Sequence, residues 1–277
     1  LLLNPKHIRQ FALFYYCCFL LSFSWFLYNR ITFAGLQPVF FINRLDITRN
    51  ILMLTDWQHS LLGNNVLCLI FDIIYAALPI LLTIAVYKDI PGKVFIAIVT
   101  AIFTLMYGTF LSAVSYTSPE MFIGFILIPL LFTATSLKGF YYLLHCIRYL
   151  FILVFISAGF WKIKEAGIFN LEEMAGILLV QHNMYVLSNP SDLFSKTVYY
   201  LVQHPIIAYA FYFIAAFAEL VFVAGVFTKK YDKALLVILC LFILFDFLLM
   251  RINYFSWFVF AGCFYFSRFK SNKYETK

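Results

Sequence analysis

Apolar runs long enough to cross a bilayer alternate with short polar turns along most of the chain. The runs cover about 11–28, 66–87, 94–116, 121–137, 141–161 and 198–227. A last stretch, 234–267, is too long for one crossing of about 20 residues. Arg251 interrupts it, so it divides into a run ending near Met250 and a short one starting near Ile252. The pattern predicts an all-α, polytopic integral membrane bundle of about eight transmembrane helices, with residues 1–277 as a single membrane domain.

Two polar segments are longer than turns. Segment 29–64 carries Arg30, Arg44, Asp46, Arg49, Asp56, Trp57 and His59 among apolar clusters such as Phe40-Phe41-Ile42. That mixture predicts a stretch lying at the interface or folding back over the bundle. Segment 162–197 carries Glu165, Glu172, Glu173, Gln181, His182, Asn183, Asn189, Pro190 and Asp192. The first apolar run follows Lys6 and Arg9 as a signal sequence would, but no small-residue cleavage site comes after it, so it is expected as a retained span.

Composition narrows the class. The chain is 64% hydrophobic, 21% aromatic and only 12% charged, with mean hydropathy +0.91. A soluble domain does not have that balance. The net charge of +7 is better explained by membrane topology than by nucleic acid, which is not expected as a partner. With the N-terminus in the cytoplasm, eight crossings put Lys6, Arg9, Lys88, Lys93, Lys138, Lys229, Lys230, Lys233 and the basic C-terminus inside, as the positive-inside rule requires. Both long segments and Lys162 then face the periplasm or the cell exterior. The six cysteines all fall in apolar runs without metal-ligand spacing and are expected as small core residues.

Charges inside apolar runs carry the candidate chemistry. An ionisable group in hydrocarbon costs about 2.5–3.5 kcal/mol, so it finds a partner or lines a cavity. Asp72, Arg148, Glu219 and Asp246 are such groups. Reckoned from helix ends, Arg148, Glu219 and Asp246 lie at comparable depths, roughly 12–18 Å. Arg148 is therefore expected to pair with Glu219 or Asp246, either locking the bundle or flooring a cavity.

The segment 148–164, RYLFILVFISAGFWKIK, organises the rest. It has Arg148 within, a small-residue step at Ser157-Ala158-Gly159, and Lys162 where the apolar run stops. His145, Arg148 and Lys162 share a helical face. Lys162 reads either as a snorkelling anchor or as a partly desolvated base. His182 reads as a solvated loop histidine or as a second acid–base group over the same cavity. Asn253, Tyr254, Ser256 and Trp257 add hydrogen-bonding groups near the last run, where an aromatic belt also accounts for the rings. No HExxH, phosphate-binding glycine loop or metal site is read from the chain.

Phe155-Ile156-Ser157-Ala158-Gly159-Phe160-Trp161-Lys162 resembles the Ala-Gly-x-x-Lys helix end of the vitamin K-dependent gamma-carboxylase membrane region and its bacterial relatives, the horizontally transferred transmembrane (HTTM) domain proteins. Downstream, Ala218-Glu219-Leu220, a basic turn, and Arg251-Ile252-Asn253-Tyr254-Phe255-Ser256-Trp257 continue the likeness. The resemblance implies that Lys162 is the base that deprotonates a hydroquinone, with Arg148 and Glu219 shaping the pocket. It implies a quinone or lipid-like cofactor and an extracytoplasmic peptide substrate in a bacterial inner membrane. The same stretch, with Glu219-Leu220 and Gly225, is also similar to the shorter DoxX/MauE proteins, linked to quinone or thiol redox. A different class also stays open: a non-catalytic subunit of a membrane complex, its pocket holding membrane lipid, that docks a secreted or envelope protein.

Overall fold

The computed structural model describes residues 4–36, 62–115, 117 and 119–267, and every regular element among them is helical. Most of the expected interfacial stretch between the first two apolar runs, and the basic C-terminal tail, lie outside the described residues. Among the described residues six helices are long and apolar enough to span a membrane, and two shorter apolar helices accompany them. The chain is an all-α integral membrane protein; six long helices and two short ones stand where about eight regular spans were expected.

The first helix, α1 (Pro5–Tyr28), starts where Asn4 accepts the His7 N–H at 3.1 Å while the His7 ring accepts the Asn4 N–H at 3.1 Å. That reciprocal cap, with proline at the first helical position, fixes the start. Asn64 caps α2 (Asn65–Tyr87) by accepting from Val66 and Leu67. A short turn leads to α3 (Lys93–Val114).

The run expected as a regular span over 121–137 is broken. A 3-10 turn, Pro119–Phe122, leads into the short α4 (Ile123–Leu127) and then a second 3-10 turn, Ile128–Thr133. Pro129 has no N–H to continue the α-helix begun at Ile123, so that helix breaks there. Next comes α5 (Leu137–Lys164), the longest helix described.

Segment 162–197 is not a polar loop. After α5 the chain forms α6 (Glu173–Ser188) and α7 (Leu193–Gln203). The following span begins at Pro205, not 198, because a residue before proline avoids helical geometry. It consists of α8 (Pro205–Val221) and, after a break at Phe222, α9 (Val223–Phe227). Then α10 (Asp232–Phe245) widens into a π-helical turn, Asp246–Met250. Arg251 ends it with φ 53°, in the left-handed region. A 3-10 turn, Phe255–Trp257, opens the final α11 (Phe258–Phe266).

Contacts gather the chain into two compact units. One comprises Leu1–Ile147 and Asn253–Lys277. Its core is aromatic: Phe19, Tyr75, Tyr107 and Phe122 are buried, and the rings of Tyr75 and Tyr107 stack at 3.8 Å. Cys18, Cys68 and Cys263 are buried here as expected, but Cys17 and Cys146 are exposed. The other unit is Arg148–Ile252. In it Met174, Ala175, Leu178, Val198, Leu201, Ala208, Tyr212 and Leu249 pack α6 and α7 against α8 and the end of the π turn.

Candidate functional site: a buried amine–carboxylate cluster

Arg148 has no exposed surface, as its position inside an apolar run requires. Its partner, however, is neither Glu219 nor Asp246. Nε donates to Asp232 Oδ2 at 3.0 Å and Nη2 donates to Asp232 Oδ1 and to the Gly225 carbonyl, the latter at 3.0 Å. Gly225 lets Leu235 and Ile152 close in beside this contact: a Cβ there would lie 2.7 Å from a Leu235 methyl and 2.9 Å from an Ile152 methyl. The expected depths failed because the helices are staggered. The turn between α9 and α10 lies level with Arg148, well along α5 rather than at its start. Asp232 sits in a lysine-rich turn, which made it look solvated; its place at the first position of an apolar helix was the available signal.

Glu219 belongs to Lys162. The Lys162 Nζ donates to both carboxylate oxygens, at 2.6 and 2.7 Å. The lysine side chain is 25% exposed and that of Glu219 only 4%. Lys162 is thus turned into the helices rather than snorkelling outward. Gly159, one turn before it, makes the approach possible: a Cβ there would lie 2.9 Å from Leu220 and 3.3 Å from the Glu219 Cβ. The small-residue step in the sequence is where α8 comes close.

Asp246 completes the cluster. It opens the π turn, feels the charges of both Lys162 and Glu219, and its carboxylate makes no hydrogen bond within the described residues. Tyr212, seven residues before Glu219 on the same face of α8, is within electrostatic reach of Glu219 and Glu173. The residues in it come from α5, α8 and the π turn. Two charged levels therefore share α5, Arg148 with Asp232 and Lys162 with Glu219 and Asp246, about 21 Å apart by helical rise.

The other sequence candidates go elsewhere. His182 is a buried residue of α6, 6% exposed, with its ring edge-on to Phe194 at 4.9 Å. Among the described residues no contact joins it to Lys162. Desolvation, with help from the Arg251 charge, pushes its pKa below the usual histidine value against the opposing pull of the Leu249 carbonyl. Its neighbour Gln181 donates to the Met250 carbonyl at 2.6 Å. Arg251 stacks on Tyr185 and Phe194, with its guanidinium 4.4 and 4.0 Å from their ring centres. These contacts hold the end of the π turn against α6 and α7. A groove of about 710 Å³ runs along α6 between Glu172, Glu173, Val202 and Pro205; Lys162 does not line it.

In the first unit, Asp72 is a structural acceptor. It takes N–H groups from Phe33 at 3.2 Å and Ala34 at 2.9 Å, and the Tyr107 hydroxyl at 2.7 Å. Asn253 accepts the Phe255 N–H at 2.9 Å. His145 packs against Tyr141, ring centres 4.2 Å apart.

Fold and cluster together define an all-α integral membrane protein with an amine and two carboxylates gathered among its apolar helices. No family model, curated protein or solved structure matches the chain.

Proposed function

We propose that this protein is a carboxylase-like membrane enzyme of the HTTM type, working with a quinone- or lipid-like cofactor on an extracytoplasmic peptide. The observation that carries the reading is Lys162. A lysine serving only as an anchor would point into headgroups; this one is drawn inward onto Glu219, with Asp246 alongside. A buried ion pair is poor evidence for stability, since desolvation offsets much of its attraction. Its placement beside a second carboxylate favours a role in moving a proton.

The chemistry divides among the three residues. In this reading Lys162 takes the proton from the cofactor and relays it to the Glu219 carboxylate it touches. Asp246, without a hydrogen bond of its own, fits as the acceptor for a phenolic hydroxyl of a hydroquinone. Such a cofactor, when bound, would supply two electrons and an acidic hydroxyl. The Lys162 side faces the periplasm or exterior in this proposal, with both termini cytoplasmic.

The exposed apolar stripe Val180, Met184 and Leu187 on α6, continued by Leu193, favours a second reading. In that reading the protein is a non-catalytic subunit that docks an envelope or secreted protein; a DoxX/MauE-like quinone or thiol redox partner is the other alternative. The test uses protein purified in native lipid, with bound quinones and lipids identified by mass spectrometry. Lys162→Ala alone strands Glu219, so Lys162→Ala/Glu219→Gln is compared with it. A quinone bound to wild type and lost from a folded double variant supports the enzyme. Bulk phospholipid in both overturns it.

A further inference from the structure

The chain leaves helical geometry at 251–254 and resumes as the turn Phe255–Trp257 running into α11. Irregular backbone among apolar helices is tolerated only where protein buries it or a polar cavity receives it. Here it is buried: Asn253 is 5% exposed and Ser256 1%. The Asn253 side-chain oxygen accepts the Phe255 N–H, which seats its amide at the helix start. The amide nitrogen of Asn253 and the hydroxyl of Ser256 have no hydrogen-bond partner among the described residues. Asn253 caps the turn in which Ser256 stands, so both donors lie at the helix start.

A buried donor without an acceptor costs about 1–3 kcal/mol. Two in one turn of an apolar unit therefore call for a ligand. The turn is also held rigidly. Trp257 donates its indole N–H to the Glu120 carbonyl at 2.9 Å, and the Ser256 carbonyl abuts Gly124, where no Cβ would fit. Both contacts fix the backbone without using the two donors. A helix start adds partial positive charge and favours anions.

We propose that the start of α11 binds a small oxygen-bearing anion of the carboxylate type, held by the Asn253 amide, the Ser256 hydroxyl and the helix N-terminus. The ligand is small because both side chains are almost fully enclosed. This site stands apart from the reading of Lys162 and does not depend on it.

Formate is the probe, titrated into ¹⁵N-labelled protein in nanodiscs against chloride at equal ionic strength. The readout is the Trp257 indole resonance, assigned with Trp257→Phe. Wild type is expected to shift saturably with formate while the Trp161 resonance stays in place. Asn253→Asp keeps the cap on Phe255 but replaces the donor by a negative oxygen, and should weaken formate at least tenfold. Ser256→Ala, the smaller change, should weaken it several-fold with the ligand-free Trp257 resonance unmoved. No saturable shift in wild type overturns the site, as does formate binding of wild-type strength in a folded Asn253→Asp or Ser256→Ala variant. An equal shift with chloride overturns the oxygen-ligand assignment.

Discussion

Arg148 and Asp232, 84 residues apart in sequence, form an ion pair with no exposed side-chain surface on either partner. The pair joins α5 to the start of α10, and the Gly225 carbonyl takes a further Arg148 N–H. Removing one partner of such a pair strands the other, at about 3–5 kcal/mol. Arg148→Met and Asp232→Leu should each destabilise by that order. The double variant should regain much of the loss, because two apolar side chains leave no buried charge. Denaturation in detergent, read as a double-mutant cycle, checks this; simple additivity would show that the two residues do not act together.

Asp72 is the acceptor for two backbone N–H groups and the Tyr107 hydroxyl. Asp72→Leu leaves those donors without an acceptor, at about 1–3 kcal/mol for each that stays buried. Tyr107→Phe removes one donor and should cost less. Hydrogen exchange at Phe33 and Ala34 separates the two: protection should collapse in Asp72→Leu and persist in Tyr107→Phe.

Gly124 packs against the Ser256 carbonyl and the Val259 side chain. Since the closest obstacle is backbone, Gly124→Ala must push α4 away from the start of α11. A loss of about 1–3 kcal/mol is expected from such overpacking. By contrast, a Cβ at Gly92 meets nothing within 4 Å, so Gly92→Ala should leave the thermal midpoint nearly unchanged. Comparison of the two midpoints checks the contact.

His182 sets a pH dependence on α6 and α7. Its folded pKa lies below the ordinary 6.5, chiefly through burial. The unfolded or released form therefore binds a proton that the packed form does not. Stability is full above about 6.5 and declines as pH falls from there towards the folded pKa, by at most about 1.4 kcal/mol per pH unit. Hydrogen exchange of α6 and α7 should accelerate between pH 7.5 and 5 in wild type, while His182→Gln should flatten that part of the profile. Asp192, bonded to the Tyr185 hydroxyl at 3.0 Å, and Arg251 are the charged groups to hold constant.

Much of the architecture was legible because the membrane imposes it. A run of apolar residues long enough to cross must become a helix, so α2, α3 and α5 fall close to their expected limits, while α1 ends as expected but starts earlier, at Pro5. Each failure has a physical cause. Segment 121–137 has span-like hydropathy, but hydropathy does not register the missing N–H of Pro129. Segment 162–197 looked like loop because its polar residues are numerous, yet α6 buries Met174, Ala175, Leu178, His182 and Val186 on one face. His182, expected as loop or site, belongs to that face.

The sequence by itself determined that the protein lies in a membrane, which residues are charged among apolar neighbours, and where small residues admit close approach. Gly159 and Gly225 each mark such a place. Only the tertiary structure decided which charges meet. Depth along a helix is local information, whereas pairing depends on the stagger between helices, and stagger is set by contacts between residues far apart in sequence. That stagger gives Arg148 to Asp232, and leaves Glu219 and Asp246 to Lys162.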